Sequence, residues 1–185
     1  MTSARLELDE NVLKEAEELL KDIPNGYKKA LSRSVNRAMQ EGRTEAVRSV
    51  RAEYSVKART IRPTFNITKA KSSNIEASLE SKGSDLPLEE YSYRPKTDTT
   101  GSKRRVVKVG VKKGGLKPLG QGFVWGGKVM RREGRTRLPV SRAYGPAIPV
   151  TLNNDAVVDK VVDKMSESVN KRLAHETERI LSGNG

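Results

Sequence analysis

Apolar residues first recur with a helical period. Val12, Leu13, Ala16, Leu19, Leu20 and Ile23 fall on one stripe, which predicts a helix from Asp9 or Glu10 to Ile23, with acids in its first turns favouring the helix dipole. Pro24-Asn25-Gly26 ends it. A second, longer helix is predicted over about Tyr27 to Tyr54, burying Tyr27, Leu31, Val35, Ala38, Met39, Ala46, Val47 and Val50. Its opposite side carries Arg33, Arg37, Arg48 and Arg51, which read as a solvated face first and an interface second. Gly42 lies on or near the packing stripe, although glycine costs about 1 kcal/mol relative to alanine inside a helix. A short basic segment, Val56–Arg62, stops at Pro63.

From there the period becomes two. Phe65 and Ile67 predict one strand, and Ile75, Ala77 and Leu79 alternating with polar neighbours predict another. Gly83 to Pro87 turns the chain, and Tyr91–Thr100 reads as irregular. Val107, Val109 and Val111 mark a further strand, and Gly114–Gly122 reads as a loop. Phe123-Val124-Trp125 and Val129-Met130 predict a strand or hairpin bent at Gly126-Gly127. The stretch Lys128–Pro149 then combines six basic residues with three prolines, and its Leu138-Pro139-Val140 and Tyr144-Gly145-Pro146 predict an extended path, because residues before proline avoid the α region. A last helix starts near Asn153–Asp155, uses Val158, Val161, Val162, Met165, Val169, Leu173 and Ile180 as its stripe, and ends at Gly183. The expected fold is α+β in one domain. Its helical part is 1–62, an antiparallel β-sheet with long loops occupies 63–150, and a C-terminal helix over 151–185 packs on the sheet.

Charge changes the picture most. The formal net charge is +13 and the isoelectric point about 10.0. Residues 1–25 hold three bases against seven acids, whereas 99–150 hold thirteen bases against one acid. Patterned basic blocks imply an anionic partner: nucleic acid or an acidic protein surface, with anionic lipid a lesser alternative. The candidate contact residues are Lys103, Arg104, Arg105 and Lys108, followed by Arg131, Arg132, Arg135, Arg137, Arg142 and Tyr144. Specific base readout is not expected, since no helix-turn-helix or zinc-finger spacing occurs. The sequence also lacks the aromatic interleaving that stacks single strands.

Other chemistries find little support. There is no cysteine, hence no disulfide framework or thiolate metal site. The single histidine, His175, sits on the polar flank of the last helix. Glu89-Glu90, adjacent in sequence, would point to opposite faces of a strand and so make no catalytic pair. Gly122–Lys128 matches the spacing of a phosphate-binding loop, but Val129 stands where Ser or Thr is needed, and a strand rather than a helix follows. No secretory leader and no apolar run of membrane-spanning length are read from the sequence, so a soluble protein is expected.

Several stretches in order resemble the minor tail protein Z family of long-tailed bacteriophages and prophages. These are Ala30–Ala38, Glu53–Arg62, Phe123-Val124-Trp125, Val129–Gly134, Arg137–Val140 and Tyr144–Pro149. The resemblance covers most of 26–181 and departs at the glycine- and lysine-rich Lys112–Gly122. It implies a structural virion protein of tail completion and head–tail joining, with no enzymatic activity and no cofactor. It further implies a homo-hexameric ring at the head-proximal end of the tail, assembled in the bacterial host cytoplasm. The implied partners are tail terminator or tube proteins, head-connector proteins and genomic DNA in the channel, with no membrane. The alternative is a basic protein gripping DNA phosphates without sequence specificity.

Overall fold

The structure is a computed structural model and describes residues 9–99, 105–153 and 155–183. The chain divides into two compact units. The first takes the chain up to Ala46, Phe65–Ser81 and the chain from Leu152; the second takes Val47–Thr64 and Lys82–Thr151.

The first unit is helical with one β-ribbon. Helix α1 (Glu10–Leu19) is capped by Asp9, whose carboxylate accepts a hydrogen bond from the Asn11 amide at 2.9 Å. It stops four residues short of the expected Ile23. The amides of Ile23 and Gly26 instead donate to the carbonyls of Leu20 and Ile23, and Asn25 takes a left-handed φ of 58°, a conformation asparagine tolerates. Leu19, at the frayed end, is 51% exposed rather than buried. Helix α2 (Gly26–Glu53) supplies Ala30, Leu31, Val35, Ala38 and Met39 to the core. Helix α5 (Asp155–Leu181) answers with Met165, Val169, Leu173 and Ile180, and Gly183 closes it at a φ of 76°.

Strands β1 (Phe65–Thr68) and β2 (Ser78–Ser81) pair antiparallel, with Ile67 opposite Leu79. Ile67, Leu79, Ile75 and Ala77 pack against the same core as α5, so the C-terminal helix does lie on β-structure. Of the expected second strand only Ser78–Ser81 is regular, because Lys71 and Asn74 close a tight turn on each other. The side chain of Asn36 then fixes the exit from β1. It donates to the Ala70 carbonyl at 2.9 Å and accepts from the Ala70 amide at 2.8 Å, standing in for a neighbouring strand. The expected arginine face of α2 is in part engaged, since Arg33 pairs with Glu176 at 3.3 Å and Arg37 with Glu41 at 3.2 Å.

The second unit begins with the last turns of α2, followed by a short helix α3 (Ala58–Ile61) and a 3-10 turn over Arg62–Thr64. Its strands are β3 (Leu86–Pro87), β4 (Ser92–Arg94), β5 (Lys108–Gly110), β6 (Lys117–Pro118), β7 (Gly122–Trp125), β8 (Lys128–Arg132), β9 (Val140–Arg142) and β10 (Tyr144–Gly145). Helix α4 (Ile148–Leu152), not expected from the sequence, follows. The α+β class holds, but the expected sheet is divided. Counting β1–β2, the described residues form four small antiparallel sheets, the others being β10–β3, β4–β5–β6 and β7–β8–β9.

Two stretches differ from expectation for the same reason, which is pairing to β5. Ser92–Arg94 is a strand and not irregular, because its Tyr93 alternates inward opposite Val109. Lys117–Pro118 forms a strand inside the expected loop, as the Leu119 amide bonds the Val107 carbonyl at 2.7 Å. The hairpin prediction holds: β7 and β8 meet at Gly126 and Gly127, with φ of 56° and 73°, the pair of positive values that a two-residue hairpin turn requires. Strand β8 follows where a phosphate loop would need a helix.

Packing, not helix propensity, accounts for Gly42: a Cβ there would stand 2.6 Å from Met165 Cγ and 3.6 Å from Leu79 Cδ2. Overpacking costs about 1–3 kcal/mol against the ~1 kcal/mol an alanine gains in helix propensity, and Met165, packed in the core at 8% exposure, has little room to move aside. Gly42→Ala should therefore lower stability in a urea titration. Adding Met165→Ala should reduce the further penalty of the glycine change to zero or reverse it, so the double-mutant cycle is non-additive.

Candidate functional site

The stretch from Lys128 to Pro149 owes its shape to buried valines on one side of the β7–β8–β9 sheet. Val124 and Val129 are opposite each other and fully buried. Alternation then sends Phe123, Trp125, Lys128, Met130 and Arg132 to the other face, joined by Val140 and Arg142 through the pairs Arg132–Val140 and Met130–Arg142. Trp125, the only tryptophan, is 59% exposed beside the glycine turn. Phe123 is covered by the Arg132 guanidinium, 4.8 Å from its ring centroid. Apolar, aromatic and basic side chains thus share one surface.

Each side of this sheet is held by a neighbouring segment at one residue. The Thr99 amide donates to the Val124 carbonyl at 3.0 Å, and the Thr99 hydroxyl accepts from the Val124 amide at 2.8 Å. Beyond β9, the Ala143 amide donates to the Val129 carbonyl and the Leu88 amide to the Ala143 carbonyl, both at 2.9 Å. Val124 on the β7 edge and Ala143 at the end of β9 are thus paired with neighbouring segments, so the sheet is held at both sides.

Leu88–Glu90 form a 3-10 turn, so Glu89 and Glu90 diverge as expected, though not on a strand. Glu90 accepts a hydrogen bond from the Thr60 hydroxyl at 2.8 Å. Glu89 accepts from Nε of Arg142 at 2.8 Å and also from its Nη2. The second oxygen of Glu89 is buried without a hydrogen-bond partner among the described residues. Next to it, Tyr91 is 3% exposed and its hydroxyl donates to the Pro146 carbonyl at 2.6 Å. Burial, followed by the fields of Tyr54 and Asp85, pushes the Tyr91 hydroxyl up to about 12. Gly145 lies against that ring, and a Cβ there would come 2.8 Å from Tyr91 Cε2 and 3.1 Å from Leu88 Cδ2.

The predicted contact residues therefore separate. Lys103 and Arg104 lie outside the described residues. Arg105 and Lys108 are exposed, one shortly before β5 and one on it, in a different sheet from the arginines of β8 and β9. Arg131, Arg135 and Arg137 are exposed, as is Tyr144. Arg132 and Arg142 are structural in part: Arg132 covers Phe123 and donates to the Arg137 carbonyl at 2.6 Å, while Arg142 holds Glu89. Sequence reasoning did not single out Trp125, Leu138 and Val150, which are all more than half exposed, because a large apolar residue that finds no core is visible only once the elements are packed.

His175 is exposed on α5, as expected. Among the described residues no group of three or more His, Cys, Asp or Glu side chains is placed to hold a metal ion, and no helix is long and apolar enough to cross a membrane.

Arg142→Ala should lower the thermal midpoint, because it leaves a buried carboxylate unpaired, whereas Arg135→Ala should leave the midpoint unchanged within error. The raised Tyr91 value means its neutral form is favoured in the fold. That contribution is complete below about pH 10, the unfolded value for tyrosine, and is lost as pH rises toward about 12. Alkaline unfolding of the wild type should show this loss, and Tyr91→Phe should show a smaller one over the same range.

The matched family is described as prophage minor tail protein Z, and the match runs over residues 11–182. No curated protein and no solved structure matches the chain. The matched span takes in both units, including the arginine-framed sheet face and the Tyr144-Gly145-Pro146 segment seated on Tyr91. The chain belongs to the prophage minor tail protein Z family.

Proposed function

We propose that this protein completes the phage tail by joining other virion proteins, as one subunit of a homo-hexameric ring at the head-proximal end. Family membership supports a structural role in the tail. The finer reading rests on one observation in the second unit: large apolar side chains stand exposed on strands, or next to them, that are internally well paired. Trp125 on β7, Leu138 just before β9 and Tyr144 on β10 are each more than half exposed, with Arg135 and Arg137 exposed in the bend between β8 and β9.

Aromatic anchors with arginine at their margins are the composition of protein interfaces, where a few such residues carry most of the binding energy. The function proposed is therefore assembly through protein surfaces, with no catalytic step and no cofactor. The virion is its place of action, with tail terminator or tube and head-connector proteins as its neighbours.

Particles produced without this protein should carry few joined, infectious tails, and purified wild type added to the lysate should restore them. Trp125→Ala with Leu138→Ser should restore at least tenfold fewer, while folding with an unchanged thermal midpoint. Firmly joined, infectious tails in its absence would contradict the reading.

A further inference from the structure

Each unit exposes a leucine beside two like charges, and the two settings are opposite in sign. In α1, Glu15, Glu18 and Leu19 stand at i, i+3 and i+4, so they share one face of the helix. All three are exposed, while Ala16 and Leu20 take the buried side. In the bend between β8 and β9, Arg135, Arg137 and Leu138 are exposed, and Leu138 is 68% so.

These charges are not met within the chain. None of Glu15, Glu18, Arg135 and Arg137 forms an ion pair among the described residues. Lys14, the one base of α1, is engaged by Glu10 at 3.6 Å, and the charges of Lys21 and Asp22 beyond the helix cancel. In the bend, Glu133 is the single acid against Arg135 and Arg137. The bend is also shaped from within. The Glu133 amide donates to the Pro139 carbonyl at 3.2 Å, Nη1 of Arg132 to the Arg137 carbonyl at 2.6 Å, and the Thr136 hydroxyl to the Leu138 carbonyl at 2.5 Å. A backbone fixed in this way lowers the ordering cost of a contact.

The composition of the two faces selects the partner. Two glutamates beside the exposed leucine of α1 repel phosphate, which removes nucleic acid as the ligand of that face. An apolar side chain rimmed by charge of one sign is matched by an apolar side chain rimmed by the other. The chain supplies that complement itself. We infer that Glu15, Glu18 and Leu19 of one copy dock on Arg135, Arg137 and Leu138 of a second copy, leucine on leucine with glutamate–arginine pairs at the margin. The inference rests on the reading of this protein as a homo-oligomer and names the surfaces that join its subunits. Because the two surfaces differ, the contact is heterologous and can pass from copy to copy.

The test is self-association of the full chain, followed by analytical ultracentrifugation over a dilution series at low salt. Two charge reversals are compared, Glu15→Arg/Glu18→Arg and Arg135→Glu/Arg137→Glu. Each sets like charges on both sides of the contact, so each alone should self-associate roughly tenfold or more weakly than wild type, with an unchanged thermal midpoint. Mixed in equal amounts, the two should assemble to within about threefold of wild type, since each offers what the other lacks. Net charge cannot produce that recovery, because the reversals shift the +13 total by four in either direction and both variants stay positive.

Should a reversal not fold, Glu15→Gln/Glu18→Gln and Arg135→Gln/Arg137→Gln replace it. Each should weaken association and reduce its salt dependence, whereas Leu19→Ser should weaken association and keep that dependence. Wild-type association that neither reversal weakens, or that the mixture does not recover, would overturn the contact and leave the homo-oligomer standing. A wild type that stays monomeric would overturn both. An α1 reversal that leaves self-association intact but restores fewer joined tails would also overturn the contact, assigning the α1 face to another virion protein.

Discussion

The second unit depends on how Tyr91 is held. Its ring is buried with Gly145 against it, and its hydroxyl reaches the Pro146 carbonyl at 2.6 Å. Only a residue without a side chain fits at 145, so the segment Tyr144-Gly145-Pro146 can lie flat on the ring. One residue pair away, Arg142 closes on Glu89 from the other side of Ala143. These contacts join the end of β9 and all of β10 to the turn that precedes β4. A proline- and arginine-rich segment that would otherwise be a loop becomes part of a paired surface. Hydrogen bonds from Ala143 to Val129 and from Leu88 to Ala143 carry that order back into the hairpin.

Holding the segment in this way divides the arginines by role. Arg142 compensates a buried carboxylate, and Arg132 lies over Phe123 with its guanidinium bonded to a backbone carbonyl. Both are therefore committed to the fold before any partner arrives. Arg131, Arg135 and Arg137 stay exposed, and so do Trp125, Leu138 and Tyr144. Arg94 and Lys108, opposite each other on the β4–β5 pair, belong to a different sheet. A net charge of +13 says nothing of this division, since it counts structural and available cations alike.

The helices were legible because their apolar period survives in sequence: Leu31, Val35, Ala38 and Met39 on α2, and Met165, Val169 and Leu173 on α5, are all buried. The hairpin at Gly126-Gly127 was legible because two consecutive positive φ values demand glycine or a close substitute. Strand β4 and strand β6 were not, because their pairing to β5 is set by contacts distant in sequence and their two or three residues are too few to show a period. For the same reason the division of the expected sheet into small ones could not be read. Among the candidate contact residues, composition singled out an arginine-rich stretch. It could not tell that Arg142 has a carboxylate partner 53 residues away, nor that Arg94 and Lys108 would be set opposite each other.

Residues 140–149 form a fixed surface built onto the β7–β8 hairpin, which residue-resolved hydrogen exchange can check. The amides of Ala143 and Leu88 should exchange as slowly as that of Val124, and all three far more slowly than the exposed bend at 134–137. Rapid exchange at Ala143 and Leu88 with protection retained at Val124 would contradict it, showing a loop laid beside the hairpin rather than joined to it.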